Sequence, residues 1–423
     1  MPPDLSALLQ AAAEARGAGR RDEARALLEQ AVARHPDQPA GLNGLGLALL
    51  GAGEAERAAA LFRRAVAVDP TALPLRMNLA TAARAAGQSE TEREALRAAL
   101  ALDQCNLTAL TRLAELHERL GEEAAAVERW SAVVAAGRLI DQPSPALAAV
   151  LDHAARFVAE RTRQLGETLD IILSDRFGDL AAGETRRMAA AVDAMLGRRR
   201  IYANQCTGLH VPFLPADEYF ERRHFPWLAA VEAQTDAIRA EALALLDDDG
   251  AGFRPYVELL PGTPENLWTP LDGSSDWSAV HLFRHGVRDN ALCARCPLTA
   301  ATLAAVPQPD LPARSPTAFF SVLRPGARIP PHGGVTNIRA TVHLPLVVPP
   351  GCGFRVGGET RAWEEGRAFV FDDTIEHEAW NEGDALRILL IFDVWNPHLT
   401  AAERCMVADV FAASDRHRDG LAS

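Results

Sequence analysis

The chain lacks long apolar runs and the marks of an exported protein. Its 423 residues contain no stretch of about 18 consecutive apolar residues, so no transmembrane helix is predicted. The N-terminal sequence MPPDLSALLQAAAEARGAGRR has neither a basic start nor an uninterrupted apolar core, which argues against a signal peptide. Six cysteines in a chain of this length give no dense disulfide framework. We therefore expect a reduced, cytoplasmic protein with no membrane partner.

Positive charge is also scarce. The sequence has 43 Lys and Arg against 56 Asp and Glu, a net charge of −13 and a pI near 5.4. Affinity for nucleic acid depends on clustered basic side chains, so a nucleic-acid partner is not expected. The hydrophobic content of 48% and charged content of 23% are those of ordinary folded domains, and the length allows two or three of them.

The N-terminal third contains an internal repeat. Four glycines, Gly19, Gly53, Gly87 and Gly121, are each 34 residues apart, and each lies between two Ala- and Leu-rich segments of helical length. Small residues recur in step with them, and prolines close the first two units. These small residues and prolines are Ala24, Ala58, Ala126, Ala31, Ala65, Ala99, Pro36 and Pro70. The pattern predicts one pair of short helices per unit, packed closely where the small residues lie.

This repeat, from Leu5 to about Ala136, resembles the tetratricopeptide repeat. Glu92 and Gln104 depart from the small-residue and proline positions, so the third unit matches less well. An unrelated Ala-rich helical bundle is the alternative fold. Such arrays form a concave surface that binds peptides or partner proteins. An alternative role is to hold a homo-oligomer together, and the oligomeric state is not predicted.

The rest of the chain divides at about residue 200. We assign residues 1–137 to the repeat array, 138–200 to a helical linker and 201–423 to a second domain. The linker has amphipathic helical sequence and no residues that suggest chemistry. From Ile201 onwards aromatic residues and prolines become more frequent.

Short β-rich runs separated by turn residues follow, which predicts a sandwich or jelly-roll barrel. They include WSAVHLF, TAFFSVLRPG, NIRATVHLPLVV, GFRVGG, RAFVFDD and LRILLIFDVW. Alternation places Arg339, Thr341 and His343 on one face of their strand. On the last strand the residues that share a face are Arg387, Leu389, Ile391 and Asp393. Each polar set could line the inside of a barrel.

The ordered motifs PHGGVTNIRATVHL, EEGRAFVFDD, EHEAWN and an arginine separated by five residues from DVWNP resemble the aspartyl/asparaginyl β-hydroxylase family. The resemblance covers about residues 250 to 400 and extends more loosely back to Ile201. It implies a double-stranded β-helix of the jelly-roll or cupin type with flanking helices. It also implies a dioxygenase that uses Fe(II), 2-oxoglutarate and O2.

The resemblance implies that His332 and His377 bind the metal. Most enzymes of this chemistry have a carboxylate two residues after the first histidine, but Gly334 stands there, as in the β-hydroxylase family. We expect iron to bind through the two histidines alone. The alternative is that another carboxylate completes the site, and the candidates are Asp373, Glu376 and Glu378. Glu376 and Glu378, directly beside a ligand, should point to the opposite side of an extended strand.

Arg387 is predicted to bind the distal carboxylate of 2-oxoglutarate, since a guanidinium can bind a carboxylate through two hydrogen bonds. Ser321 and His343 match further cosubstrate contacts that the resemblance implies, and Arg339 is a weaker candidate for cosubstrate or substrate. Each of these residues could instead be an ordinary core or surface residue. The CxxC sequence of Cys293 and Cys296 has no second pair and is weak evidence for zinc or redox chemistry.

The leading hypothesis is therefore a hydroxylase of a protein or peptide, acting at the β-carbon of Asp or Asn, with the repeats recruiting substrate or partner. Hydroxylation of a lipid acyl chain or a small molecule is an alternative within the enzymes. A different class is a non-catalytic repeat scaffold with a degenerate barrel.

Overall fold

Helical hairpins fill the N-terminal part of the computed structural model, which describes residues 4–248 and 252–422. The chain forms two compact units, residues 1–186 and 187–423. The helices of the first part, with α10 reaching into the second unit, are α1 Leu5–Gly17, α2 Arg21–Arg34, α3 Pro39–Gly51, α4 Ala55–Val68, α5 Leu73–Ala85, α6 Ser89–Leu102, α7 Leu107–Arg119, α8 Glu123–Gly137, α9 Pro145–Phe177 and α10 Ala182–Met195. The boundary placed at residue 200 stays a prediction.

The four periodic glycines each end the first helix of a pair. Gly19, Gly53, Gly87 and Gly121 have φ of +76°, +81°, +69° and +69°, a backbone region that favours glycine. The residue after each glycine donates its backbone N–H to a carbonyl in the last turn of the preceding helix, as in Glu54 N to Leu49 O at 2.9 Å. This is the Schellman type of helix ending. The predicted helix, turn and helix of each unit is confirmed.

The periodic alanines are buried where the helices meet, as expected; Ala58, Ala65 and Ala99 have no exposed surface. Glu92 stands in the third unit where the others have alanine, and it is also buried, with 1% exposure. Arg119 Nη2 donates to its Oε2 at 2.7 Å. The unit therefore accommodates the departure from the repeat with an ion pair from the next unit.

The second unit is rich in β-structure. Its helices are α11 Leu228–Glu232, α12 Thr235–Asp247, α13 Asn290–Arg295, α14 Pro297–Ala304 and α15 Ala401–Ala422. Its strands are β1 Arg254–Pro255, β2 Trp277–Arg284, β3 Val287–Arg288, β4 Ala318–Leu323, β5 Arg328–His332, β6 Arg339–Val347, β7 Cys352–Val356, β8 Glu359–Arg361, β9 Phe369–Phe371, β10 His377–Asn381 and β11 Arg387–Trp395. Short 3-10 turns lie at Arg222–His224 and Thr269–Leu271.

The strands form two antiparallel sheets. The larger has the order β1-β2-β4-β11-β6-β9, with β3 paired to β2, and the smaller has the order β5-β10-β7-β8. From β4 to β11 the chain passes repeatedly between the two sheets, which is the connection pattern of a jelly roll or double-stranded β-helix. The predicted fold class, a helical repeat array followed by this β domain, is confirmed.

Alternate residues of β6 and β11 face two different cores. Val342 and Leu390 pack with α12, α13 and α14 on the outside of the larger sheet. Leu389 and Ile391 pack with Phe354 and other residues of the smaller sheet. The face assignment made from alternation is therefore confirmed, and the polar side of these strands lies toward the inside of the barrel.

The sequence prediction did not include the short strands β1, β3 and β8, nor β5 and β10, which bear on the candidate site. β5 contains Pro330 and Pro331, which cannot donate backbone hydrogen bonds, and it is an edge strand paired only with β10. β10, with the sequence HEAWN, has too many polar residues to stand out as a strand. Within residues 4–248 and 252–422, no helix is both long and apolar enough to cross a membrane.

Candidate active site

The two predicted metal-binding histidines lie side by side. His332 is the last residue of β5 and His377 is the first of β10, and the two are direct partners in the antiparallel register. Their ring centroids are 4.1 Å apart. Two residues far apart in sequence are thus brought together by the pairing of β5 with β10, neither of which the sequence predicted.

Hydrogen bonds and burial prepare both rings to act as metal ligands. The Nδ1 of His332 lies 2.7 Å from Pro330 O, and the Nδ1 of His377 lies 3.0 Å from Ile375 O. Because a carbonyl only accepts, Nδ1 carries the proton and Nε2 carries the free lone pair. Burial lowers the pKa of His332 to about 3 and that of His377 to about 4, so both rings are neutral at neutral pH. A neutral imidazole with a fixed tautomer is what a divalent metal requires.

Gly334 and Asp373 share one space beside this pair. Gly334 N donates to Asp373 O at 2.5 Å. A Cβ atom placed on Gly334 would lie 2.5 Å from Asp373 Oδ1, far inside van der Waals contact. In the described part of the chain, no three His, Cys, Asp or Glu side chains are arranged to hold one metal ion. The histidines therefore stand as a pair, with the Asp373 carboxylate near Gly334.

Glu376 and Glu378 point away from the site, as expected for residues next to His377 on an extended strand. Both bind Arg355, through Nη2 to Glu376 Oε1 at 3.0 Å and through Nε to Glu378 Oε1 at 2.6 Å.

Arg387 is a buried cation without a described carboxylate partner. Its exposure is 1%, its Nη2 donates to Ser321 Oγ at 2.9 Å, and its Nε has no partner. Burial lowers its pKa to about 9, which still leaves it charged at neutral pH. Trp277 Nε1 also donates to Ser321 Oγ, at 3.1 Å, so the hydroxyl hydrogen remains available to a ligand. An unpaired buried charge is costly, and a bound carboxylate would remove that cost.

Two further unsatisfied nitrogens lie close to Arg387. His343 Nδ1 and Trp363 Nε1 are buried without a partner, and the Arg387 guanidinium lies 5.1 Å from the centre of the Trp363 ring. Burial, and to a lesser extent the charges of Arg387 and His377, lower the pKa of His343 well below its usual value. Native proteins leave few buried polar atoms unsatisfied. Here several of them converge on the inside of one barrel.

A pocket of about 360 Å³ joins these groups to the surface. Its lining includes both metal-binding candidates, His343 and Arg339, together with Tyr256, Trp268, Trp277, Phe371 and Asp373. The structure thus brings the predicted histidines, His343 and Arg339 to one cavity, with Arg387 and Ser321 behind it.

Comparisons with known proteins agree with this geometry. Residues 232–397 match the family model described as aspartyl/asparaginyl β-hydroxylase, and residues 9–72 match that of the tetratricopeptide repeat. The second unit carries an aspartyl/asparaginyl β-hydroxylase domain.

Curated relatives of this β-hydroxylase domain come from several vertebrates. The human protein "Aspartyl/asparaginyl beta-hydroxylase" is 36% identical over 176 residues, which is 41% of this chain and 22% of that protein. "Aspartate beta-hydroxylase domain-containing protein 2" of Xenopus tropicalis is 37% identical over 205 residues, 48% of this chain and 53% of that protein. The mouse "Aspartate beta-hydroxylase domain-containing protein 1" is 30% identical over 241 residues, which is 56% of this chain and 64% of that protein. The chain thus spans from about a fifth to under two thirds of these relatives.

Among solved structures, the chain is similar to MamA from Desulfovibrio magneticus RS-1. The identity is 21%, the TM-score is 0.31, and the similarity covers 33% of this chain and 78% of that one. No argument rests on a score of this size.

Arg339 is bound within the β-hydroxylase domain by an acidic residue. Its Nη1 donates to Asp393 Oδ2 at 2.9 Å and lies 3.2 Å from Ser315 Oγ, while its Nε is buried without a partner. Nε is thus available to meet a ligand. The role of Arg339 in binding cosubstrate or substrate stays a prediction.

Cys293 and Cys296 are both buried in the core of the β-hydroxylase domain. Burial raises the pKa of Cys293 and raises that of Cys296 to about 11, so neither is a reactive thiolate at neutral pH. This arrangement favours packing over chemistry for the CxxC sequence.

The sequence did not single out Trp363 and Trp277 as polar contributors. A large aromatic residue in a β domain is usually part of the core, so the sequence favours a framework role for Trp363 and makes no assignment for Trp277. Trp277 Nε1 reaches Ser321 Oγ because β2 pairs with β4, and the Trp363 ring lies 5.1 Å from the Arg387 guanidinium.

Proposed function

We propose that the chain is a 2-oxoglutarate- and Fe(II)-dependent dioxygenase that hydroxylates a protein or peptide substrate at the β-carbon of an Asp or Asn residue. The repeats would recruit the substrate or a partner protein. The observation that carries this proposal is the combination, in one barrel, of the buried Arg387 without a described carboxylate partner and the two adjacent neutral histidines. The family match of residues 232–397 supports the hydroxylase class.

The residues fit the metal and the cosubstrate. His332 and His377 would hold iron(II), which when bound supplies the activation of O2 coupled to oxidative decarboxylation of 2-oxoglutarate. Arg387 would bind the distal carboxylate of the cosubstrate, with Ser321 donating its hydroxyl hydrogen to the same group. His343 Nδ1 and Trp363 Nε1 are buried and would be satisfied by further contacts to the dianion.

The apolar surroundings have a role of their own. Phe354 and Phe371 each lie with their ring centroid 4.9 Å from that of His343, so aromatic rings surround this histidine. Excluding water strengthens each hydrogen bond to the cosubstrate and protects a reactive site from side reactions.

All six cysteines carry free thiols, which is consistent with a reducing compartment such as the cytoplasm. We keep that location as part of the proposal.

The direct test is to incubate the full chain with iron(II), ascorbate and 2-oxoglutarate and to measure succinate. We expect slow succinate formation without substrate, faster formation with a substrate, and none for His332→Ala. Proteins captured on the full chain should gain the mass of one oxygen atom at Asp or Asn. An oxygen gained on a lipid or small molecule would favour the alternative enzyme, and absence of both iron binding and turnover would favour the scaffold.

A further inference from the structure

A second, larger cavity lies beside the candidate active site. Its volume is about 1170 Å³, and Tyr256 and His285 line both it and the site pocket. We call it the β2–β3 groove, since the hairpin of those strands forms one wall; its remaining lining includes Arg254, Glu258, His281, Arg284, Arg288, Asp289 and Arg295. A bound polypeptide lying in this groove would extend continuously into the pocket of the candidate active site.

The groove concentrates positive charge on a protein with a net charge of −13. Arg254, Arg284 and Arg288 are exposed, and within the described residues no Asp or Glu forms an ion pair with any of them. The fourth arginine, Arg295, binds Asp248 at 2.8 Å. The Asp289 carboxylate caps α13 by accepting from Leu292 N at 2.9 Å.

Many arginines elsewhere on the same unit pair with nearby carboxylates, as in Arg222 with Glu232 at 2.7 Å and Arg367 with Glu364 at 3.0 Å. The three groove arginines lack such pairs and line one cavity together. Charges of one sign lining a cleft raise the local concentration of ligands of the opposite sign.

The hairpin that carries these residues is held in a fixed shape. Arg284 pairs with Val287, so His285 and Gly286 form a two-residue turn, with φ of +51° and +83°. Two-residue hairpin turns favour such left-handed residues. A non-glycine residue is uncommon there, and this turn directs His285 to the edge shared by the two cavities. Burial, with Arg284 and His285 as smaller causes, lowers the pKa of His281 to about 4, consistent with a positive local field.

We propose that the β2–β3 groove binds an acidic segment of the polypeptide substrate, with Asp or Glu side chains pairing with Arg254, Arg284 and Arg288 while the target residue enters the site pocket. This deepens the proposed function and rests on it for the identity of the target. Substrates would thus carry carboxylates near the hydroxylated residue.

A peptide fits the groove better than a dense polyanion does. Glu258 and Asp289 lie among the arginines, so a nucleic acid or a sheet of phospholipid headgroups would bring phosphates against these carboxylates. A peptide can place separate carboxylates at the guanidinium groups alone. Tyr256, stacked on Trp277 with ring centroids 3.9 Å apart, offers a flat aromatic surface to a peptide side chain at the entrance.

The test measures binding of a fluorescein-labelled peptide with alternating Glu and Gly to the full chain by fluorescence anisotropy. The same peptide with Gln in place of Glu is the reference. We expect the Glu peptide to bind more tightly and its affinity to fall as salt is raised. Arg284→Glu should weaken its binding about fivefold to tenfold, because it replaces an exposed attraction by a repulsion.

Arg324→Glu is the matched control, since Arg324 is also exposed, has the same charge and lies in the turn after β4, outside the groove. It should leave the affinity unchanged. Equal binding of the Glu and Gln peptides, or equal losses in the two variants, would overturn the proposal. So would tighter Arg284-dependent binding of a single-stranded oligonucleotide or of vesicles of anionic phospholipid.

Turnover separates this proposal from the proposed function. A peptide with Asp added at its centre could bind in a way that depends on Arg284 and yet never stimulate succinate formation. That result would support the proposed role of the groove and count against the proposed hydroxylase function. If Arg284→Glu and Arg254→Glu left hydroxylation unchanged, the hydroxylase function would be supported and the proposed role of the groove would be contradicted.

Discussion

The carboxylate of Asp373 lies where a side chain on residue 334 would have to be. Related oxygenase chemistry uses a carboxylate two residues after the first histidine, and here Gly334 leaves that place open while Asp373 approaches it from the β9–β10 connection. The Asp373 side chain thus fills the space that a side chain at residue 334 would occupy.

Gly334→Ala should therefore be destabilising. The new Cβ would lie 2.5 Å from Asp373 Oδ1 and would force that carboxylate to move. We expect a loss of about 1 to 3 kcal/mol in the free energy of unfolding, as for other overpacked sites. Gly333→Ala is the control, because its new Cβ meets nothing nearer than Thr374 O at 3.5 Å. Denaturant unfolding of both variants measures the difference, and equal stability would show that Asp373 moves freely.

Asp373→Asn tests whether iron binds through the histidines alone. The amide keeps the size of the side chain but removes its charge. We expect iron(II) affinity, titrated without oxygen, to fall by at most about 10- to 100-fold, as for a group that acts from outside the metal's own ligands. His332→Ala in the same titration should abolish measurable binding. If Asp373→Asn lost as much as His332→Ala, Asp373 would be a third ligand and the two-histidine assignment would be wrong.

Arg387→Met separates cosubstrate binding from structural support. Because the guanidinium is buried without a carboxylate partner, an apolar side chain of similar length should leave the ligand-free protein equally stable or about 1 kcal/mol more stable. The further rise in Tm when 2-oxoglutarate is added to the iron(II)-loaded protein under anaerobic conditions should disappear.

The comparison for this variant is Arg339→Met, at a residue on the same side of the barrel. It leaves Asp393, which is only 6% exposed, without its ion-pair partner, so a loss of about 3 kcal/mol is expected. Thermal melts of both variants measure these differences in stability. If Arg387→Met were as unstable as Arg339→Met, or kept the ligand-induced shift in Tm, Arg387 would be a structural residue.

The sequence was informative where a period repeats. Gly53 and its equivalents were placed in turns by spacing alone, and alternation assigned Leu389 and Leu390 to opposite faces of β11 before any pairing was known. The approach of His332 to His377 depends on β5, whose prolines hide it, and on β10, whose polar sequence resembles a loop. The contacts of Asp373 with Gly334 and of Trp363 with Arg387 also join residues far apart in sequence, so they could not be deduced from local sequence.

The third repeat offers a test of a buried charge. Glu92 is 1% exposed, one of its oxygens has no partner, and Ala24, Ala58 and Ala126 occupy the equivalent positions. We expect Glu92→Ala to stabilise the chain by about 1 kcal/mol although it removes the ion pair with Arg119, because a buried ion pair often costs more in desolvation than it returns. Glu90→Ala, at an exposed residue of the same helix, should change stability by less than about 0.5 kcal/mol.

The pH dependence sharpens this prediction. Burial raises the pKa of Glu92 above its ordinary value of 4.5, so the folded state holds the proton more tightly than the unfolded state does. The glutamate therefore destabilises the fold increasingly as the pH rises from below 4.5 through its folded pKa. The gain from Glu92→Ala should be larger at neutral pH than below pH 4.5, as measured by urea unfolding at both. A gain that is constant with pH, or a loss at neutral pH, would show that Arg119 compensates the buried charge fully.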